Sequence, residues 1–407
     1  MPLCSTSPNS VRCAGLQKRE WCLRFGIVQQ RTPEPVDAAY LAALVELGRR
    51  SGLDHIGVAP ASVMHRARTA LHTRKGAGLH DTMQFTYRNP ERSTDPGRAV
   101  QGAQSVLVAA RSYAMQEPPT SPSTPSAAVA RYAWEDHYAP LRVGLQVIVG
   151  RLRADGYRAV AFADDNSMVD REAAWLGGLG WFGKNANVLL PGSGSYFVLG
   201  SVVTTAPLPI AAEPVADGCG SCKRCIDGCP TAAIVAPGVV DAGRCLAWLL
   251  QRPGVFPRSF RRALGNRIYG CDECQTVCPP TVRFERHRGQ PATSSTHAWV
   301  PLLELLDGDD DALLGRYGRW YLAERNPIWM RRNALIALGN VVRDGSTASG
   351  AGIDDHVIGV LRNYLGHAEP MLRAHAVWAA AEIGLLDMLP TDDTHPLVLD
   401  ELRALAG

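Results

Sequence analysis

The chain has 407 residues, more than a single hydrophobic core usually organises, so two or three domains are expected. Its hydrophobic share of 46% is that of an ordinary globular protein, and no charge-free apolar run reaches the roughly 18 residues of a membrane span. The net charge of +3 selects no partner class by itself, and the N-terminus lacks the apolar core of a signal peptide, so a cytoplasmic location without membrane contact is expected.

Residues 1–33 mix Ser, Pro, Arg and Gln with Cys4, Cys13 and Cys22 and read as a disordered tail. Apolar spacing predicts a helix from Val36 to Ser51, stopped by Gly52. A short strand follows at Leu53–Val58, a polar turn-rich stretch at 80–98 and a buried-type strand at Ser105–Ala110. Residues 116–129, rich in Pro, Ser, Thr and Ala, are expected to form a flexible loop. Then come a helix at Leu141–Leu152, a strand at Arg158–Ala163, a helical turn at Glu172–Leu176 and a strand at Ser195–Thr205. Alternating strands and helices predict an α/β domain over 34–211, followed by a cysteine module at 212–292 and a helical region at 293–407. In that last region Met330, Arg331, Ala334 and Ala337 match Leu372, Arg373, Ala376 and Ala379 at a spacing of 42. A period near 40 suggests HEAT-like repeats; a coincidental pair of amphipathic helices is the alternative.

Eight of the eleven cysteines fall between Cys219 and Cys278. Such clumping in a large chain points to metal ligation rather than disulfides. Cys219, Cys222, Cys225 and Cys229, followed by Pro230, have the C-x2-C-x2-C-x3-C-P spacing of two-cluster ferredoxins, in which the fourth cysteine ligates the other cube. The second run, Cys271, Cys274 and Cys278 before Pro279, is one thiolate short, and Cys245 can supply it. One [4Fe–4S] cluster is therefore assigned to Cys219, Cys222, Cys225 and Cys278, the other to Cys229, Cys245, Cys271 and Cys274. Two four-thiolate zinc sites, or one cluster with leftover structural cysteines, are the alternatives. Between Arg244 and Arg288 nine arginines face three acids, either a solvated face or a docking surface for an anion such as nucleic acid. No G-x-G-x-x-G follows a strand, so a dinucleotide fingerprint is absent.

At these residues the chain resembles the epoxyqueuosine reductase family. The resemblance is carried by HDTMQFTYRNPERSTDP at 80–96, by FADDNSMVDREAAWLGGLGWFGKNANVLL at 162–190 with GSYFVLGSVVTT after it, by the cysteine module, and by GNRIYGCDECQTVCP at 265–279. It implies an enzyme, an oxidoreductase of queuosine biosynthesis and tRNA processing. The α/β domain would hold cobalamin, related in fold to that of reductive dehalogenases, and two clusters would feed cobalt with electrons from an external low-potential donor. The substrate would be epoxyqueuosine at the tRNA wobble position, reduced to the cyclopentene of queuosine, and the enzyme is expected to be monomeric. A cobalamin-dependent reductase of a small molecule and a non-enzymatic ferredoxin-like carrier are the alternatives.

The resemblance also implies roles for residues. Asp164 takes the place of the family's proton-donating aspartate, and a carboxyl with its pKa raised by an apolar corrin face would suit that task. Asp165, Asn166 and Ser167 depart from the family pattern, which makes Asp165 a rival acid; Asp170 stands where a Glu is usual, at a structural position. Within G-W-x-G-K-N, the glycines Gly180 and Gly183 would let backbone approach a ligand, while Lys184 and Asn185, with Ser195, Met83 and Tyr87, are candidate cobalamin contacts. His137 is expected to be a pocket or surface residue and not a cobalt ligand. Arg258, Arg261, Arg262 and Arg267 are the candidate tRNA phosphate contacts, with Arg331, Arg332 and Arg373 extending that surface.

Overall fold

The computed structural model describes residues 36–406 except 116–121, 123, 211–212, 292, 294–296 and 350–351. The expected tail at 1–33 and its three cysteines lie outside the described residues.

Among the described residues eleven strands are formed: β1 His55–Pro60, β2 Ser105–Ser112, β3 Ser126–Val129, β4 Ala159–Ala163, β5 Trp181–Phe182, β6 Val188–Leu189, β7 Phe197–Thr204, β8 Ile234–Ala236, β9 Val239–Val240, β10 Arg267–Tyr269 and β11 Trp299–Pro301. The main sheet has the order β1-β2-β7-β4, and all three of its pairings are antiparallel. Strand β2 shows why it is central. Its side chains alternate, Leu107 and Ala109 entering one core and Val106, Val108 and Ala110 the other, so a run that faces helices on both sides reads as continuously apolar. One face is covered by the helices Ala38–Arg50 and Tyr138–Ala154 through Leu44, Leu141, Leu145 and Ile148. The other is covered by the helix Asp170–Leu176 and Met64. Asp37 caps the first helix, accepting from the backbone N–H of Tyr40 at 2.8 Å.

The expected loop at 116–129 is corrected in part, because Ser126–Val129 is a strand. It joins β10 in parallel and β11 antiparallel, in a sheet that takes one strand from each of the three expected domains. One apolar core then runs from Ala127 and Val129 through Leu246, Leu249, Phe256 and Ile268 to Leu335, Leu361 and Trp378. The cysteine segment and the C-terminal helices are thus packed around shared side chains.

The C-terminal part includes the helices Ile328–Ser349, Asp355–Leu365, Pro370–Glu382 and Pro396–Ala406. The two matching sequence segments behave alike in it. Met330, Ala334 and Ala337, and likewise Leu372, Ala376 and Ala379, are buried. Arg331 donates to the Gly308 carbonyl and pairs with Asp310; Arg373 donates to the His367 carbonyl and pairs with Asp393. Among the described residues no helix is long and apolar enough to cross a membrane.

Candidate redox and proton-donor site

The eight cysteines of the module are all free thiols, and they sort in space. Burial raises the Cys225 thiol, and its next influences are Cys278 and Cys219, then Cys222. Burial likewise raises Cys278, on which Cys219 and Cys222 act. In the other set burial pushes Cys271 up to about 12 and raises Cys245 and Cys274; Cys245 acts on Cys271, Cys229 on Cys245, and Cys271 and Cys245 on Cys274. Cys225 also acts on Cys274, so the two sets adjoin. No three His, Cys, Asp or Glu side chains among the described residues converge as a single metal ion needs. The C-x2-C-x2-C-x3-C-P spacing of the first run is that of a cube-binding segment.

Backbone and side-chain donors surround the sulfurs. Ala233 N–H points at Cys229 Sγ from 3.2 Å, and Trp181 Nε1–H at Cys219 Sγ from 3.5 Å. Such donors are one of the means by which a protein sets a cluster's potential.

The G-W-x-G-K-N stretch serves this module directly. A Cβ at Gly180 would come 2.1 Å from the Leu189 carbonyl oxygen, so the close approach that requires glycine is to strand β6 of the chain itself and not to a ligand. Lys184 Nζ donates to the Gly220 carbonyl at 2.6 Å, and Asn185 Nδ2 to the Cys274 carbonyl at 3.1 Å. Ser195 Oγ donates to Gln275 Oε1 at 2.9 Å. The three side chains expected to touch cofactor thus each grip a cysteine-bearing loop. The 80–96 segment does so too: Asp81 accepts from Trp248 Nε1 and Arg252 Nη1, each at 2.8 Å. Met83 and Tyr87 are half-buried in that segment, and Tyr87 lies 5.5 Å from the His80 ring.

Asp164 terminates β4 with φ +55°, a left-handed conformation in which Asp is enriched among non-glycine residues. Asp164 is exposed, and its carboxyl makes no hydrogen bond to a described residue. The surrounding protein nevertheless raises its pKa by desolvation, opposed by Arg142 and aided by the Asp165 charge. The rival acid is differently placed, since Asp165 Oδ1 accepts from the Ser167 N–H at 2.7 Å and closes the turn. Arg92 Nη2 then holds Ser167 Oγ at 3.0 Å, so the residues that depart from the family pattern build a braced turn beneath Asp164.

Behind that turn Asp170 accepts from Ser201 Oγ at 2.7 Å. Burial pushes it up to about 7, against the Ser201 hydrogen bond, and the charges of Asp164 and Asp165 add to the rise. Because the folded pKa lies above the ordinary carboxylate value, the folded chain holds a proton that the unfolded chain has lost. Stability from this group is complete below the ordinary carboxylate range and is lost as pH rises through about 7. Thermal melts across that range should therefore show Tm falling with pH in the parent and falling less in Asp170→Asn.

Two residues that sequence reasoning passed over stand beside the acid. Arg142 is exposed on the helix Tyr138–Ala154 and acts on Asp164. Arg171, next to Asp170 in the chain, is exposed and acts on Asp170, Tyr138, Tyr113 and Cys245. Their signal in sequence was only adjacency to the motif, in one case through the fold. Deeper in the same region His137 is buried with its Nε2 unpartnered and its ring 5.6 Å from Tyr113, and the Tyr196 hydroxyl is also buried without a partner.

The arginines expected to hold tRNA are engaged elsewhere. Arg261 is 1% exposed and pairs with the buried Glu401 at 2.9 Å. Arg258 pairs with Glu401 at 3.0 Å and Asp400 at 2.8 Å, Arg262 with Glu382 at 3.0 Å, and Arg267 with Glu273. Arg332 is fully buried and donates to the carbonyls of Leu249, Arg252 and Gly254. Turning Arg261 toward a phosphate would leave Glu401 buried and unpaired, a loss of about 3–5 kcal/mol. Arg258, Arg261, Arg262 and Arg332 thus fasten the cysteine module to the helical part, while Arg267 braces the module internally.

Comparison with known proteins covers the whole of this arrangement. A family model for the 4Fe-4S double cluster binding domain matches residues 218–281. The epoxyqueuosine reductase of Xanthomonas campestris pv. campestris is 32% identical over 87% of this chain and 98% of its own, and that of Bacillus anthracis 31% identical over 84% and 88%. Among solved structures, an epoxyqueuosine reductase with an epoxyqueuosine-modified tRNA-Tyr stem loop superposes with TM-score 0.78 at 28% identity, covering 90% of this chain and 98% of that one. The Bacillus subtilis enzyme, with its catalytic aspartate loop swung out of the active site, superposes with TM-score 0.77 at 28% identity over the same shares. The likeness extends through the sheet, the cysteine module and the helices together, and the chain belongs to the epoxyqueuosine reductase family.

Proposed function

We propose that this protein reduces the epoxide of epoxyqueuosine, at the wobble position of tRNA, to the cyclopentene of queuosine. The observation that carries the reading is the presence of an eight-thiol module and of a strand-end carboxyl of raised pKa, Asp164, in a chain of this family. The conversion consumes two electrons and two protons and releases the epoxide oxygen as water.

The donor set fits two [4Fe–4S] clusters, ligated as Cys219, Cys222, Cys225 and Cys278 and as Cys229, Cys245, Cys271 and Cys274. Two buried polar atoms fit a polar-rimmed cofactor such as cobalamin: the Tyr196 hydroxyl and His137 Nε2 have no partner among the described residues. Burial lowers the His137 pKa and keeps that imidazole neutral. Cobalamin, when bound, supplies the strongly reducing cobalt chemistry that no side chain can provide.

The chain's own residues position and protonate. Asp164 donates the proton to the departing epoxide oxygen. The turn closed by Asp165 and Ser167 aims it, and Asp170 lies behind that turn. Arg142 and Arg171 meet tRNA phosphates, while Met83 and Tyr87 lie on the segment that borders the cofactor. Lys184, Asn185 and Ser195 act on the site indirectly, by fixing the cysteine loops. In domain terms, 34–211 carries cobalamin, 212–292 is ferredoxin-like, and 293–407 is HEAT-like, its two arginine-anchored segments being consecutive repeats.

The test is the protein reconstituted with iron, sulfide and cobalamin, given a chemical reductant and tRNA bearing epoxyqueuosine. Nucleoside mass spectrometry should show loss of one oxygen from the modified base. No queuosine from a preparation with intact clusters would overturn the reading.

A further inference from the structure

Arginines near the cysteine runs divide into two sets. Arg258, Arg261, Arg262 and Arg267 are held by the chain's own carboxylates, whereas Arg224, Arg283 and Arg286 are exposed and form no ion pair with a described carboxylate. With His287, these three line a surface groove of about 750 Å³ between the helical turn Arg224–Asp227 and the helix Pro279–Arg288. Lys223 and Arg288, both exposed, extend its positive rim. The groove holds a single acid among the described residues, Asp227, which lies 3.7 Å from Lys223.

The groove is lined by residues next to Cys225, Cys278 and also Cys229. Arg224 precedes Cys225, and Val277 and Pro279, which line the groove, flank Cys278. Cys222, two residues from Arg224, is the cysteine classed as exposed among the eight. Cys245, of the other set, feels Arg171, the side chain that also acts on Asp170 and Tyr138. None of these residues lines the groove, whose lining instead adjoins Cys225 and Cys278.

We propose that this groove is the docking site of an acidic, low-potential, one-electron carrier protein of the flavodoxin or ferredoxin class. Electrons enter through the cube on Cys219, Cys222, Cys225 and Cys278. The inference rests on the function proposed above, which draws two electrons from outside. Each encounter oxidises one reduced carrier by one electron and reduces the near cube by one. Two encounters supply the pair that, with two protons, turns the epoxide oxygen into water and leaves a carbon–carbon double bond. Electron-transfer encounters use small, transient interfaces steered by opposite charge, which suits a compact basic groove beside an exposed ligand cysteine. An RNA occupant is disfavoured by position. The charged groups that act on Asp164 are Arg142 and Asp165, and neither lines the groove, so the groove is not the surface that presents a base to the acid.

The test compares the holoprotein with the triple variant Arg224→Glu/Arg283→Glu/Arg286→Glu, and with a milder Arg→Gln triple. Anaerobic stopped-flow follows bleaching of the cluster absorbance by an acidic flavodoxin reduced to its hydroquinone, and separately by dithionite. Bleaching by flavodoxin should slow by at least about tenfold at low salt in the Glu triple and by less in the Gln triple. The parent rate should fall with ionic strength and the Glu triple should lose that dependence, with dithionite bleaching and tRNA affinity unchanged. An unchanged flavodoxin rate overturns the proposal. Weakened tRNA binding alongside the slower rate also overturns it and makes the groove an RNA surface. If the Glu triple loses its clusters, the Gln triple decides by the same criteria. Because bleaching is read without tRNA, a parent that makes no queuosine with dithionite would remove the proposed function while leaving this result to stand.

Discussion

Asp164→Asn is expected to slow queuosine formation by about 10²–10⁴-fold, the usual contribution of a positioned general acid. The substitution keeps size and shape but removes the proton. An epoxide oxygen leaving without one departs as an alkoxide in a partly desolvated site, which is why a carboxylic acid that stays protonated is useful there. Desolvation raises Asp164, and the raised value carries its acid form above the pH at which an ordinary carboxyl has ionised. The rate should fall as pH rises through that raised value in the parent, and this limb should vanish in the variant. Cluster absorbance should be unchanged, since Asp164 makes no hydrogen bond to a described cysteine-bearing segment. Asp165→Asn is the control. It preserves the acceptor that closes the turn on the Ser167 N–H, so a change of only a few-fold is expected. A fully active Asp164→Asn with a dead Asp165→Asn would transfer the acid role to Asp165.

Cys245→Ala is expected to halve the iron content of the reconstituted protein, from about eight to about four atoms per chain, and to abolish queuosine formation. Cys245 belongs to neither cysteine run, yet its place is well defined. Asp241 caps the turn Ala242–Arg244, accepting from the Gly243 N–H at 2.9 Å, and delivers Cys245 to the edge of Cys229 and Cys271. The backbone N–H groups of Ala247 and Trp248 point at its sulfur and favour the thiolate. With that ligand gone, the second set has three thiolates, and the interrupted wire should leave the first cube reducible but disconnected from Asp164. Retention of full iron in Cys245→Ala would show the second cube to be wrongly assigned. The measurements are iron and sulfide analysis and the electron paramagnetic resonance of the reduced protein.

The local elements were largely legible in the chain. A helix expected at Val36–Ser51 runs Ala38–Arg50, and strands expected at Ser105–Ala110 and Ser195–Thr205 run Ser105–Ser112 and Phe197–Thr204. These segments carry their own periodicity and stop signals, so nearby residues suffice to define them. Ser126–Val129 was missed because four small residues with no apolar alternation carry no such signal; their strand exists because β10 and β11 lie on either side.

Charge was the hardest quantity to read. Arg258, Arg261 and Arg262 looked like a nucleic-acid surface because their partners Asp400, Glu401 and Glu382 lie more than a hundred residues away. Arg142, unremarkable on its own helix, became a neighbour of the acid only when β4 was laid beside β7.

The cysteine spacing by itself determined that the chain holds clusters, because three thiolates capping one cube is a constraint of a few covalent links and no tertiary contact is needed to impose it. The surrounding motifs likewise determined the family. Only the tertiary structure decided what the residues between those motifs do. Lys184, Asn185 and Ser195 hold cysteine-bearing segments, Asp165 closes the turn that presents Asp164, and Arg224, Arg283 and Arg286 are left without an ion pair to a described carboxylate. The physical reason is range. Ligand spacing and helix periodicity are written over a few residues, while hydrogen-bond partners, desolvation and ion pairing depend on groups that the fold alone brings together.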